Sequence, residues 1–219
     1  MFASAGKGLE APTFSELAYR PDGLPGLNFD LDAADSTNME LGVKWRLGDH
    51  AQLNTTLFRS NTSDDIVTGP APFPGRNTFV NADKTRREGV EFAASMSMLD
   101  AALTHDLAYT YTRARFKEFV NFAGVDLSGN QIPGVPENAA YLQLNWRHAP
   151  SGFSTGVEAR WADQVFADDL NSASRGFVCS RQLACRFPPG HDFLATRRVR
   201  SCRQHRRRKL RGLGDREMR

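Results

Sequence analysis

Cysteine is missing from the first 174 residues; the three present, Cys179, Cys185 and Cys202, all fall in the last 45. A disulfide framework or a thiolate metal site in the body of the chain is thereby excluded. No stretch approaches the roughly 18 consecutive apolar residues of a membrane-crossing helix, so a helical membrane protein is excluded too. The opening Met1-Phe2-Ala3-Ser4-Ala5-Gly6-Lys7 lacks the basic, apolar and cleavage-site regions of a secretory signal. Nothing resembles a nucleophile elbow, a His-rich metal motif or a phosphate loop. No catalytic residue, cofactor or metal site is therefore expected, and the chain is read as a non-enzyme.

Charge of one sign is scarce in a second sense. The net formal charge of +3 conceals a reversal. Residues 1–174 hold 14 Lys and Arg against 22 Asp and Glu, a balance of −8; residues 175–219 hold 14 against 3, a balance of +11. A break this abrupt divides the chain into two segments with different physics.

The body alternates. From Met39 to Leu47 every odd position is apolar and every even one polar or Gly, which is the period of a strand with one face in an apolar medium. Gly48-Asp49-His50 reads as a turn, and Ala51, Leu53, Thr55 and Leu57 continue on one side of a second strand. The pattern returns with Val90, Phe92, Ala94, Met96 and Met98, then with Leu103, Leu107, Tyr109 and Tyr111, where His105 interrupts the apolar face. It returns again with Ala140, Leu142, Leu144 and Trp146, and with Phe153, Thr155, Val157, Ala159 and Trp161.

Short turns near 48–50, 99–101 and 148–152 alternate with long polar loops expected at 9–36, 61–78, 117–136 and 163–174. Compact domains favour connections of about 4–6 residues. Outer-membrane barrels have small turns at one end and large loops at the other. Charge is nearly absent from the apolar faces; Arg59 and Arg113 share that register but sit near the loop ends. All three tryptophans lie on apolar faces, while Glu40, Lys44, Arg46, Glu91, Asp106, Glu158 and Arg160 share the other. The expected fold is all-β: an incomplete antiparallel up-and-down transmembrane β-barrel portion over 1–174. A soluble antiparallel sandwich that buries its apolar face is the alternative.

Several segments resemble the barrel domain of TonB-dependent outer-membrane receptors. Residues Gly8 to Leu17 are similar to its strand-and-loop entry, and Asn38-Met39-Glu40-Leu41-Gly42-Val43-Lys44 to its N-x-E-x-G-x-K strand. Asp65-Ile66-Val67 and the run from Asn81 to Glu91 resemble the D-x-I and N-x-G-K-x-x-R-x-G-x-E segments, with Ala82-Asp83 where the family more often has Ala-Gly. Tyr109-Thr110-Tyr111-Thr112, followed by Gly129-Asn130-Gln131-Ile132-Pro133-Gly134-Val135-Pro136, is similar to the strand leading into a G-N-x-I-P-x-V-P re-entry. The resemblance implies residence in the cell outer membrane among its lipids. It also implies uptake of a ferric siderophore or another scarce metal chelate, powered by the TonB complex through an N-terminal plug. Such barrels have about 22 strands, whereas roughly seven are legible here by periodicity, and no segment resembles a plug. A fragment that does not transport alone is expected.

Residues 175–219 lose the alternation and are expected to be a disordered basic tail. A shift of reading frame near Ser174 accounts at once for the charge reversal, the cysteines and the lost period. Two functional readings compete with it. Arg206-Arg207-Arg208-Lys209 suits an anionic or nucleic-acid partner, which would make the chain a soluble β binding module with a basic arm. Cys179, Cys185 and Cys202 with His191 and His205 suggest zinc, although the spacing fits no common finger. The favoured reading has no nucleic-acid partner.

Ligand contacts are read on the loop side. Lys84, Arg86 and Arg87 are candidates because guanidinium groups suit carboxylate and chelate oxygens; the plainer reading is that they pair with lumen acids such as Glu91. Tyr19 and Phe73 are candidates by loop position, as are Phe14 and Phe79. Asp64-Asp65 and Asp168-Asp169 are more simply solvated loop acids than cation ligands.

Overall fold

The computed structural model describes residues 1–71, 75–176, 178–186 and 195–200. Its strands are β1 (Phe2–Glu10), β2 (Ala34–Leu47), β3 (Ala51–Thr68), β4 (Phe79–Met98), β5 (Leu103–Glu118), β6 (Asn138–His148), β7 (Phe153–Ala162), β8 (Val165–Phe166), β9 (Ser174–Arg175), β10 (Val178–Arg186) and β11 (Ala195–Arg200). Nine of them form one antiparallel sheet in the order β1-β2-β3-β4-β5-β6-β7-β10-β11, while β8 and β9 make a two-stranded ladder in a loop. Within this sheet each strand pairs with the next one along the chain, β7 passing over the β8–β9 ladder to β10, and the sheet stays open, with β1 and β11 as its edges. This is the up-and-down, incomplete barrel wall that the alternation predicts.

The short turns lie at one end, between β2 and β3, β4 and β5, and β6 and β7. Gly48 and Gly152 supply left-handed backbone at two of them (φ 60° and 67°), and Leu99, Asp100 and Ala101 all take positive φ at the third. The long connections lie at the other end, over 11–33, 69–78, 119–137 and 163–177.

Two boundaries differ from expectation. The first part of the loop expected at 61–78 is strand, because β3 and β4 pair as far as Thr68↔Phe79. Residues 61–65 are polar on both faces, and Asp64 has a φ of 55°, so the pleat loses its apolar mark and the count of two breaks there. The sheet also runs past 174, where a tail without fold was expected. The backbone of β10 pairs with β7 from Val178↔Ala162 to Arg186↔Ser154, and β11 pairs with β10. Backbone pairing satisfies the N–H and C=O groups that β7 would otherwise leave bare along an edge, and it does so without an apolar pattern to announce it. Residues 187–194 and 201–219, with His191, Cys202, His205 and the 206–209 basic run, lie outside the described residues.

The buried core is small and sits at the loop end. Val67, Ala82, Ala114, Phe116, Phe119, Leu127 and Ile132 cluster there, with Val80 and Val135 against them. The β5–β6 connection returns along β5, where Ile132 N–H donates to the Ala114 carbonyl and Phe116 N–H to that of Asn130. The 163–177 connection docks on it in turn: Gln131 N–H donates to Asn171 Oδ1 at 2.8 Å, and Asn171 Nδ2 donates back to the Gln131 carbonyl at 2.8 Å.

Candidate functional site

The pleat gives the sheet two unlike faces. Register places Leu47, Ala51, Met96, His105, Leu144 and Val157 in one cross-strand row, and Trp45, Leu53, Ala94, Leu107, Leu142 and Ala159 in the next. Towards the loops, further rows run through Val43, Phe92, Tyr109 and Trp161, then through Leu41, Leu57, Val90 and Tyr111. This face is bare: Trp45 is 58% exposed, Leu41 53%, Leu57 51% and Leu142 44%. A soluble sandwich would cover these side chains, since contiguous apolar patches of this extent are rare on soluble monomers.

The band has a sharp upper limit. The row above Leu57 and Val90 is Met39, Arg59, Glu88 and Arg113, charged on three of its four strands, with Arg59 Nε 3.9 Å from Glu88 Oε2. From Met98 up to Glu88 the strand rises about 33 Å at roughly 3.3 Å per residue. A tilt of about 40° reduces this to a height of about 25 Å, the apolar band of an outer-membrane barrel. Charge therefore begins where the hydrocarbon ends.

The opposite face is mostly polar, with the rings of Phe2 and Phe58 lying over Gly42 and Gly89. Ser4 donates to Glu40, Ser95 to Asp106 at 2.8 Å, and Tyr141 to Gln143 at 2.7 Å. Near the loops it holds a cavity of about 270 Å³ lined by Glu10, Ser36, Ser60, Thr62, Asp65 and Arg87. Asp65 is the anchor of this cavity. Its Oδ2 accepts from Thr85 Oγ1 at 2.6 Å and pairs with Arg87 Nη2 at 2.9 Å, and its side chain is only 10% exposed. By parity Asp65 belongs with Arg59 on the apolar side; the left-handed residue before it turns it inward. A carboxylate buried this far needs both partners, because an unpaired buried charge is costly.

The pleat separates the candidate ligand residues. Arg87 faces the inner cavity, whereas Arg86 lies on the outer face, where its Nε donates to Asn61 Oδ1 at 2.8 Å. Lys84 pairs with Glu118 at 2.8 Å. Tyr19 sits in the β1–β2 loop, 41% exposed, with the Arg76 guanidinium 4.9 Å from its ring centre. Phe73 lies outside the described residues. The basic run does pair with acids, but with Asp65 and Glu118 rather than Glu91. Strict alternation counted back from Val90 would have separated Arg86 from Arg87; nothing local pointed to Asp65.

Asp168 works within its own loop. Burial opposes its charge, but the N–H groups of Ser172 and Ala173 and the Ser172 hydroxyl outweigh that and hold the carboxyl below the usual carboxylate range. Asp169 is pushed the other way, by burial and by the charge of Asp168. In the β1–β2 loop, the Arg20 guanidinium and the Leu24 N–H lower Asp22. Among the described residues no three His, Cys, Asp or Glu side chains gather as a cation site would require.

Residues 1–184 match the family described as TonB dependent receptor-like, beta-barrel. Among curated proteins, the chain is 25% identical over 150 residues to a probable TonB-dependent siderophore receptor, PiuA, of Acinetobacter baumannii, covering 65% of this chain and 19% of that protein. It is 27% identical over 162 residues to the vitamin B12 transporter BtuB of Photobacterium profundum, covering 71% and 24%. Among solved structures, the siderophore receptor PiuA of A. baumannii superposes with a TM-score of 0.66 at 20% identity, covering 86% of this chain and 27% of that one. The chain thus spans about a fifth to a quarter of the length of these curated relatives.

Proposed function

The chain belongs to the TonB-dependent receptor-like β-barrel family, whose place is the outer membrane, and on that premise we propose that it is one section of the wall of an uptake receptor. The ligand is a ferric siderophore or a similar scarce metal chelate, and the section does not transport alone. The observation that carries the reading is the bare apolar face ending in the charged row of Arg59, Glu88 and Arg113. The printed names of the relatives, a siderophore receptor and a vitamin B12 transporter, support the ligand class. The open edges support the lack of transport, since a sheet spanning lipid must close to satisfy its backbone.

Arg87 and Tyr19 are the ligand-facing residues of this proposal, one in the inner cavity and one on the β1–β2 loop. Phe73 joins them by loop position alone. Lys84, already paired with Glu118, and Arg86, on the outer face, stand away from a path through the lumen. Engagement of the TonB complex would come through a plug, which none of these residues resembles. A change of reading frame near residue 174 stays part of the proposal, supported by the charge reversal and the confined cysteines, although the family match runs ten residues past it, to 184.

Fractionation of cells expressing the chain tests the reading. Recovery with the outer membrane or as aggregate joined through open edges is expected, with no gain in ferric-chelate uptake under iron limitation. A monomeric, cooperatively melting protein in detergent-free buffer would overturn the barrel reading. Uptake by the chain alone would overturn the claim that it needs the rest of a receptor.

A further inference from the structure

Resting on the reading of Tyr19 and Arg87 as ligand-facing, we propose that Asn81 is a positioning residue for both. Its side-chain amide ties the place of the β1–β2 loop to the geometry of the inner cavity. Apolar contact anchors that loop weakly: within 11–33 only Asn28 and Leu31 are buried, while Phe14, Leu24 and Phe29 are exposed. Amides hold it instead. Asn28 Nδ2 donates to the Phe79 carbonyl at 3.0 Å, and the Asn28 N–H donates to the Leu17 carbonyl at 2.8 Å within the loop. Asn81, near the start of β4, clasps the backbone of Asp32. The Asp32 N–H donates to Asn81 Oδ1 at 2.8 Å, and Asn81 Nδ2 donates back to the Asp32 carbonyl at 3.0 Å.

The same Nδ2 also donates to the Asp64 carbonyl at 2.7 Å, so both donors and the oxygen of the amide are in use. Asp64 is the residue that the β3–β4 pairing passes over, between Ser63↔Lys84 and Asp65↔Ala82. Its φ of 55° is left-handed, and a residue with a Cβ is unfavourable there unless its surroundings hold it. The bond from Asn81 is such a hold. Asp64 in turn aims Asp65 into the cavity, where it meets Arg87 at 2.9 Å and Thr85 at 2.6 Å.

With Asp64 extended, strand alternation would return Asp65 to the outer side and leave Arg87 without that carboxylate. Two arrangements are thus available, and the Asn81 amide favours the one with the loop docked and Asp65 facing in. A change at one end shifts the other, because coupling between two sites is reciprocal. The Asn28 bonds reach Phe79 and Leu17 but not Asp64, so Asn28 anchors the loop without touching the cavity.

The test uses the full chain folded in zwitterionic detergent micelles. Hydrogen exchange is read by mass spectrometry on peptides spanning 14–32 and 60–68, with 40–47 in the apolar band as reference. Asn81→Ala should speed exchange about tenfold or more in both test peptides and leave the reference unchanged, whereas Asn28→Ala should speed 14–32 alone. A further arm perturbs the cavity and reads the loop. Arg87→Gln should speed exchange in 14–32 by about threefold or more in the parent, and add nothing in Asn81→Ala. If Asn81 merely held the loop, 60–68 would keep the parent's rate in Asn81→Ala and 14–32 would keep it in Arg87→Gln; either result overturns the proposal. An Arg87→Gln effect that persists in full without Asn81 also overturns it, since the coupling then runs by another route. Should Asn81→Ala lose its β-sheet by circular dichroism, Asn81→Asp, which keeps the oxygen and drops both donors, takes its place with the same expectations. No ligand enters these arms, so they stand apart from the receptor reading, which fails separately if a monomeric sheet forms without detergent. A parent chain with no sheet in micelles would refute the joint itself.

Discussion

An arginine in place of Leu107 puts a charge near mid-height on the outward face. Leu107 is 39% exposed and flanked in register by Ala94 and Leu142. It lies about 13 Å of strand above Leu103 in the lowest row and about 20 Å below Arg113. On the lipid face of a barrel, arginine costs about 2–4 kcal/mol at the midplane and about 0–1 near the interface. Leu107→Arg should therefore weaken folding into a bilayer by about 30- to 1,000-fold at roughly 1.4 kcal/mol per tenfold. Leu103→Arg should cost about fivefold or less. Ala108→Arg, one residue on and facing the wet side, should stay within about 0.5 kcal/mol of the parent. The assay dilutes the full chain from urea into phospholipid vesicles and reads the folded fraction by circular dichroism and protease protection. Equal losses at Leu103 and Leu107 would mean a dry protein core rather than a lipid-depth profile, and a larger loss at Ala108 would reverse the two faces.

Three other outcomes follow from particular contacts. A Cβ on Gly89 would run into the Tyr111 carbonyl oxygen and lie 2.8 Å from the Phe58 ring, whereas one on Gly6 meets nothing within 4 Å. Gly89→Ala should cost about 1–3 kcal/mol as overpacking and Gly6→Ala far less, both read from urea midpoints in micelles. Arg87→Gln leaves the Asp65 carboxylate with Thr85 alone and should cost about 1–3 kcal/mol. Lys84→Gln removes an exposed pair worth about 0–1 kcal/mol; equal effects of the two would dismiss Asp65 as an anchor. The 163–177 loop should respond to acid in two steps. Asp169, raised by burial and by Asp168, disfavours the fold while charged, and protonation relieves it first. Asp168 is lowered, so its contribution is full above the ordinary carboxylate pKa and disappears as pH falls through its lower folded value. Amide exchange at Ser172 and Ala173 should accelerate only in that second step; acceleration in the first would contradict the assignment.

What the sequence disclosed depended on how completely period two was written into it. Between Met39 and Leu47, or Val90 and Met98, one face is apolar without exception, and the strands lie there. Above the charged row no face meets lipid and the buried core lies at this end, so Asn61 to Thr68 carries no regular alternation although all of it but Asp64 pairs with β4. Hydrogen bonding along the ladder, which is blind to side chains, extends those strands. The same limit applies to β10, where backbone pairing with β7 proceeds without an apolar pattern. The inner cavity was half legible: the basic run of 84–87 was visible, but its split between two faces follows from the pleat, and Asp65 reaches it only because Asp64 adopts a left-handed conformation. The joint at Asn81 was least legible, because Asp32, Asp64 and Asn81 come from a loop and two strands and only the fold brings them together.

The bare apolar face meets lipid, and the chain carries its own reporters of that contact. All its tryptophans, Trp45, Trp146 and Trp161, are on that face. The full chain, folded into vesicles, should lose most of its tryptophan fluorescence to lipids brominated in the acyl chain and little to aqueous acrylamide. Strong quenching by acrylamide with none from brominated lipid would put that face in water and refute its contact with lipid.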